Sequence, residues 1–365
     1  MLDSACSGAG VSSVFQPIVD TARGSVVGYE ALARFDGYPE RNPEAWFAAA
    51  RRYGCAEQLE VVALRSALAA RPDLPQNCFL TVNVSPDLLV TDSVRAIWRD
   101  QGDLGGLIIE LTEQTPIESY LALEPDLNRL RAAGALIAVD DAGAGYAGLG
   151  HLLALRPALI KLDRALVQDV DRDEAKRALI EMIGTFASRI DAWLLAEGVE
   201  RVDELDTLVQ LGVPLVQGYC LARPAPAWAG IDPDVGLRLA ARLDQGQKLT
   251  IRDIVERVPT VADTAEASAA FVADPNLASV VLIDRHHRPL AVLESDASHL
   301  GVTSPGLRAN LDTGIADALR RALTRERGSR FEPVLATDNA GRYVGLVRLE
   351  RMIEAALAAN GAPGA

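Results

Sequence analysis

LIAVDDAGAGYAGL, residues 136–149, runs from an apolar stretch of strand type into two adjacent carboxylates and then a glycine-rich loop. A strand alternates its faces, so Asp140 and Asp141 cannot share a face within it, yet at the last strand residue and the first loop position they can straddle one site. Carboxylates that close repel unless they are protonated or bridged by cations. A single acid there would serve to cap the next helix, but the arrangement recurs along the chain. Gly143, Gly145 and Gly148 also spell G-x-G-x-x-G, with Asp163 further on, as in a dinucleotide site. Two aspartates directly before the glycines would repel a pyrophosphate seated on the following helix, which sets that reading aside.

Outward from this stretch, short apolar segments end in polar residues and alternate with helical patterns. They are Phe79–Asn83, Leu107–Glu110, Leu136–Asp140, Ala158–Lys161, Trp193–Glu197 and Pro214–Gln217. Before them, Val14–Val19 and Val26–Phe35 flank a short turn at Ala22–Ser25 and read as an antiparallel pair. Asn42–Ala70 reads as helices, with Pro43 near a start and apolar spacing through Leu59, Val62, Ala63 and Leu64. Eight strands mostly alternating with helices predict an α/β fold, a (β/α)8 TIM-like barrel with an antiparallel first strand, whose chemistry sits at the strand C-termini. Glu30, Asn83, Glu110, Asp140, Asp141, Lys161, Glu197 and Gln217 all fall there. Singly, each has a structural reading: an arginine partner for Glu30 or Glu110, a helix cap for Asn83, an ordinary salt bridge for Lys161. Together on one rim they read as a site. Five carboxylates and an amide offer oxygen ligands to hard cations, and zinc-type His or Cys ligands are missing, so magnesium or manganese is implied.

The 365 residues leave room for a second domain, and 49 % hydrophobic with 24 % charged residues is a globular composition. A net charge of −14 disfavours nucleic acid and acidic membrane faces as partners, and any anionic ligand needs cations. Cys6, Cys55, Cys78 and Cys220 have no C-x-x-C spacing, so neither a zinc site nor a disulfide framework is indicated, and a cytoplasmic setting is expected. No apolar run reaches the roughly 18 residues of a membrane span, and MLDSACSGAG lacks the charged and apolar regions of a leader, so no membrane insertion is expected.

At these residues the sequence resembles the EAL-domain family of cyclic-di-GMP phosphodiesterases. The matching motifs, in order over roughly residues 11–230, are Gln16-Pro17-Ile18-Val19, Glu30-Ala31-Leu32 with Arg34, Asn83-Val84-Ser85, Glu110-Leu111-Thr112-Glu113, Asp140-Asp141, Lys161-Leu162-Asp163, Glu197-Gly198-Val199-Glu200 and Gln217-Gly218-Tyr219. The resemblance implies hydrolysis of one 3′–5′ phosphodiester bond of cyclic-di-GMP to give linear pGpG. It also implies two metal ions, one held by Glu30, Asn83, Glu110 and Asp140, the other by Asp140, Asp141 and Glu197. Lys161 would position or polarise the attacking water, Gln217 would support it, and Glu197 is a candidate base. Arg34 would grip a phosphate oxygen, with Gln16, Leu32 and Asp163 also on the substrate side, and Glu113 would anchor the loop after the aspartates. That loop departs from the family's D-D-F-G-T-G-Y: here Ala142 and Ala144 replace the aromatic and the hydroxyl. Reduced or conditional activity is therefore expected, and a receptor that binds cyclic-di-GMP without cleaving it is the competing reading.

The barrel is assigned to residues 1–240 and a smaller α+β unit to 241–365, in which residues 251–360 look like two copies of one motif. Each has a helix (Thr264–Val272; Ile315–Arg325), a strand ending in Asp (Asp284; Asp338), a turn and a second strand, the second copy closing with helix Leu349–Ala358. This resembles a tandem CBS (Bateman) pair, a regulatory or dimerisation module that often binds adenine nucleotides; a homodimer is expected. The ribose signature of nucleotide-binding members is not cleanly kept at Val292–Ala297 or Val347–Arg351. Adenine-nucleotide sensing as the main activity is therefore a third and weaker reading. His286-His287 are not expected to form a metal site, since adjacent residues on a tight turn rarely converge on one ion.

Overall fold

The computed structural model describes residues 1–36, 43–111, 120–140, 152–190, 192–244, 249–295, 306–311, 313–323, 325, 329, 331–338 and 341–360. The chain forms two compact units, Met1–Ala240 and Ala241–Ala365.

In the first unit eight strands close into a barrel in sequence order. They are β1 (Val11–Asp20), β2 (Ser25–Phe35), β3 (Phe79–Val84), β4 (Leu107–Leu111), β5 (Leu136–Val139), β6 (Leu159–Leu162), β7 (Trp193–Ala196) and β8 (Leu215–Val216). β1 runs antiparallel to both neighbours, β2 and β8, and the other pairs are parallel, which is the architecture expected from the sequence. The strand β1 begins at Val11, earlier than its apolar run, because Ser12 and Ser13 pair with Arg34 and Ala33 across the hairpin.

The barrel interior has two layers. Ile18, Val27, Phe79, Ile108, Ala138, Leu159, Leu195 and Leu215 form an apolar cluster at most 4 % exposed. Two residues further along β4 to β8, on the same face, come Glu110, Asp140, Lys161, Glu197 and Gln217. Thus the period of 2 that makes a strand also stacks a polar layer directly on an apolar floor. The outward faces pack a larger core against helices including Ala56–Ala69, Asp92–Gln101, Tyr120–Ala132, Glu174–Arg189 and Val202–Gln210.

The second unit has two three-stranded sheets. One is β9 (Thr260–Val261), β10 (Ser279–Ile283) and β11 (Pro289–Glu294), in the order β11-β10-β9. The other is β12 (Leu307–Asn310), β13 (Val334–Thr337) and β14 (Tyr343–Val347), in the order β12-β13-β14. Each contains a parallel pair joined across a helix, Thr264–Ala273 or Ile315–Leu323, followed by an antiparallel hairpin. The two hairpin turns are built alike: Arg288 N donates to Asp284 Oδ1 at 2.9 Å, and Arg342 N donates to Asp338 Oδ1 at 2.8 Å. Val281 and Val292 of one sheet pack on Leu335 and Leu346 of the other. β9 and β12 were not read from the sequence: one is two residues long, and Leu307-Arg308-Ala309-Asn310 mixes polarity. No helix among the described residues is long and apolar enough to cross a membrane.

Candidate active site

The polar layer converges on one ammonium. Lys161 Nζ lies 2.6 Å from Glu197 Oε1, 2.7 Å from Glu110 Oε2, 3.4 Å from Glu30 Oε1 and 3.4 Å from Asp140 Oδ1. Around it, Asn83 Nδ2 donates to Glu30 Oε1 (3.1 Å), and Gln217 Nε2 donates to Glu30 Oε2 (2.7 Å) and Gln16 Oε1 (3.1 Å). Gln16 Nε2 in turn donates to Ala222 O (3.0 Å), so the network is tied to the segment after β8. Residues from β1 to β8, far apart in sequence, thus meet toward the end of the barrel where the parallel strands terminate, because barrel closure makes them neighbours.

Electrostatics set the character of the cluster. Burial pushes the Glu110 carboxyl up to about 8, against the pull of the Lys161 charge and with added repulsion from Glu30 and Asp140. Glu197 is raised well above the ordinary carboxylate range, first by desolvation, with Lys161 again opposing. For Lys161 burial favours the neutral amine, but Asp140, Glu110, Glu197 and Glu30 outweigh it and hold the ammonium above its usual range. Four carboxylates share one cation.

Within the cluster the buried oxygens Glu110 Oε1 and Gln217 Oε1 have no hydrogen-bond partner among the described residues, and Glu197 Oε1 has its ion pair with Lys161. Buried acceptors are normally satisfied. Orphaned oxygens, four carboxyl groups crowded around a single ammonium and an all-oxygen donor set together fit hard divalent cations such as Mg2+ or Mn2+.

Glycine permits the approach of the rim loops. Gly198, after Glu197, has φ +66°, and a Cβ there would fall 2.5 Å from Arg164 Cγ. A Cβ on Gly218, after Gln217, would lie 2.2 Å from Val199 O.

Gln16, Glu30, Asn83, Glu110, Asp140, Lys161, Glu197 and Gln217 are therefore brought together. Asn83 does not cap the turn at Ser85-Pro86; its amide goes to Glu30. Leu32 and Arg34 are half-buried further along β2, where Arg34 Nη1 donates to Ala33 O at 2.9 Å. Asp163 caps the turn Arg164–Val167, accepting from Ala165 N at 2.7 Å. Asp141, Glu113 and the glycine loop lie outside the described residues.

Sequence reading missed Glu60. It is 4 % exposed and accepts from Ser85 N (2.5 Å) and Ser85 Oγ (3.3 Å). The available signal was its place with Leu64, Ala67 and Leu68 at i, i+4, i+7 and i+8 on the buried face of Ala56–Ala69.

Two other charged features are self-contained. Asp169, Asp171 and Glu204 cluster, but Arg201 reaches all three, at 3.2 Å from Asp169 and 3.1 Å from Glu204. On the outer wall, a cavity of about 410 Å³ between Asp92–Gln101 and Tyr120–Ala132 holds Arg95, whose guanidinium pairs with Asp126 through two bonds of 2.9 and 2.7 Å.

The EAL domain model matches residues 1–224. The cyclic di-GMP phosphodiesterase RocR of Pseudomonas aeruginosa is 30 % identical over 223 residues, covering 58 % of this chain and 57 % of that protein. Among solved structures, Klebsiella pneumoniae BlrP1 in a calcium and cyclic-di-GMP complex at pH 8.0 superposes with TM-score 0.55 at 29 % identity, over 61 % of this chain and 58 % of that one. Its manganese and cyclic-di-GMP complex at pH 9.0 gives TM-score 0.54 at 29 % identity, over 60 % and 57 %. The chain spans only part of its curated relatives, 27 % of the length of two of them and 57 % of RocR.

Proposed function

The chain belongs to the EAL-domain family, and from that premise we propose that its barrel hydrolyses cyclic-di-GMP to linear pGpG with two divalent cations, Mg2+ or Mn2+. The observation that carries this reading is the convergence of Glu30, Asn83, Glu110, Asp140 and Glu197 on one rim, with buried oxygens left over for a cation. The metal complexes of BlrP1, both with cyclic-di-GMP, add support.

Glu30, Asn83, Glu110 and Asp140 would hold one ion, and Asp140, Asp141 and Glu197 the other. When bound, such a pair neutralises the rim, acidifies a water and stabilises the leaving oxygen of an in-line displacement. The protein's share is arrangement. Lys161, 1 % exposed, fixes the directions of four carboxylates and reaches a water only between them. Gln217 orients Glu30 through Nε2 and keeps Oε1 as an acceptor for that water. Glu197, whose carboxyl burial raises well above the ordinary range, is the candidate base. Arg34, beyond Glu30 on β2, would meet a phosphate oxygen, with Gln16, Leu32 and Asp163 on the substrate side.

The test is hydrolysis of cyclic-di-GMP by the purified chain with Mg2+ or Mn2+, with binding measured in Ca2+. Metal-dependent pGpG supports the reading; tight binding without product would make the barrel a receptor and direct attention to Ala142 and Ala144. We expect slower turnover than in an ordinary family member, and Glu113 is the proposed anchor of that loop. For residues 241–365 we propose a CBS-like pair that modulates the barrel or holds a homodimer. The repeated strand, helix and hairpin supports it. Equilibrium dialysis with ATP or AMP tests whether an adenine nucleotide binds there.

A further inference from the structure

The amide of Asn83 is held asymmetrically. On one flank its backbone pairs with Glu110 of β4, but the pairing of β3 with β2 ends at Val82, opposite Ala31. On that side the amide itself goes to Glu30 Oε1 (3.1 Å), and the backbone is fixed by the turn that follows, where every polar group of Ser85 is engaged. Its carbonyl accepts from Leu88 N (3.0 Å) and Leu89 N (3.1 Å). Its N–H and hydroxyl both go to the carboxyl of Glu60, at 2.5 and 3.3 Å.

This is not the bond a serine makes by default at that position. Ser85 stands at the N-cap of Pro86–Leu89, where its hydroxyl would ordinarily accept from the turn, yet it makes no capping bond. Glu60 is also an expensive choice for the buried face of a helix: among the described residues it has no ion-pair partner, and burial pushes its carboxyl up to about 7. A leucine there would serve packing better.

We infer that Glu60 is a positioning residue for the metal-binding amide of Asn83, acting through Ser85 as a rigid link. This rests on the reading of Asn83 as a metal ligand. Groups behind metal ligands set ligand direction, and their loss typically costs about 10- to 100-fold in metal affinity.

The experiment is a Mn2+ titration of the full chain, following free Mn2+ by electron paramagnetic resonance so that affinity is read without turnover. Glu60→Ala should weaken Mn2+ binding about tenfold, leave KM for cyclic-di-GMP unchanged at saturating Mn2+ and recover much of kcat there. Glu60→Gln, which keeps an acceptor for Ser85 N–H, should bind Mn2+ within about threefold of the parent. Asp20→Ala supplies the control: Asp20 is a buried carboxylate accepting from Ala22 N and Arg23 N at the opposite end of the barrel, so its loss should lower the melting temperature without moving the Mn2+ curve. If Glu60→Ala does not fold, Glu60→Asp, with its oxygens withdrawn by one methylene, should still weaken Mn2+ binding about threefold. Asn83→Ala separates the two ideas. Should it weaken Mn2+ binding while Glu60 variants do not, the positioning role is wrong; should it too leave binding unchanged, Asn83 is no ligand and the premise fails.

Discussion

Glu60 also makes a prediction about the fold that is independent of any metal. Its carboxyl is raised from 4.5 to about 7. Below about pH 4.5 the folded and unfolded chains both carry the proton, and Glu60 adds no pH dependence. Between about 4.5 and 7 the unfolded chain releases it while the folded chain retains it, so the unfolded state gains as pH rises. Above about 7 both are ionised and the loss is complete. At about 1.4 kcal/mol per pH unit, a shift of about 2.5 units costs the barrel about 3 kcal/mol on going from pH 4.5 to pH 8. Many other groups titrate in that range, so the measurement is a difference of differences: urea unfolding of parent and Glu60→Gln at both pH values. The amide keeps the bond from Ser85 N–H and cannot ionise. The two proteins should match within about 1 kcal/mol at pH 4.5, and Glu60→Gln should be the more stable by about 3 kcal/mol at pH 8. Parallel pH profiles would refute the raised pKa and with it the account of Glu60 as a buried carboxyl whose desolvation outweighs the pull of the Arg51 charge.

Four further outcomes follow from the geometry. Without divalent cations Lys161→Met leaves four carboxylates uncompensated and should destabilise the barrel by about 3–5 kcal/mol, with Mn2+ restoring part of the loss; a melting temperature unchanged from the parent would contradict the shared-counterion picture. Mn2+ at about 100-fold above its dissociation constant should stabilise the parent by about 2.7 kcal/mol, visible in calorimetry, and an absent shift would count against the oxygen site. Glu30→Ala should abolish hydrolysis while Arg34→Ala chiefly raises KM, and equal small effects in steady-state kinetics would overturn the site assignment. Gly198→Ala should cost about 1–2 kcal/mol for the left-handed backbone alone, and more for the contact with Arg164, readable as a lowered urea midpoint.

The barrel was legible because its strands carry two messages at once. Apolar residues marked Leu136–Val139 and Leu159–Leu162 as strands, and Asp140 and Lys161 marked which end bears the chemistry. Their convergence required eight such segments to be read together, since Lys161 alone has the sequence signature of any surface salt bridge. Glu60 was not legible, because the apolar spacing of its helix was read through Leu59, Val62, Ala63 and Leu64, while the buried face in fact carries Leu59, Glu60, Leu64, Ala67 and Leu68. Only contact with Ser85, from another element, gives that acid a reason. The C-terminal hairpins were found from Asp284 and Asp338, whose side chains do close the turns, whereas β9 and β12 are strands only because β10 and β13 lie beside them.

The apolar floor beneath the carboxylates makes the reaction chamber a cul-de-sac. Ile18, Phe79, Ile108, Leu159, Leu195 and Leu215 close the barrel from below, so nothing passes through it. Whatever enters by the rim leaves by the rim. If the barrel hydrolyses cyclic-di-GMP as proposed, spent product and fresh substrate would queue at the same doorway, and linear pGpG should inhibit as a competitor of the cyclic dinucleotide.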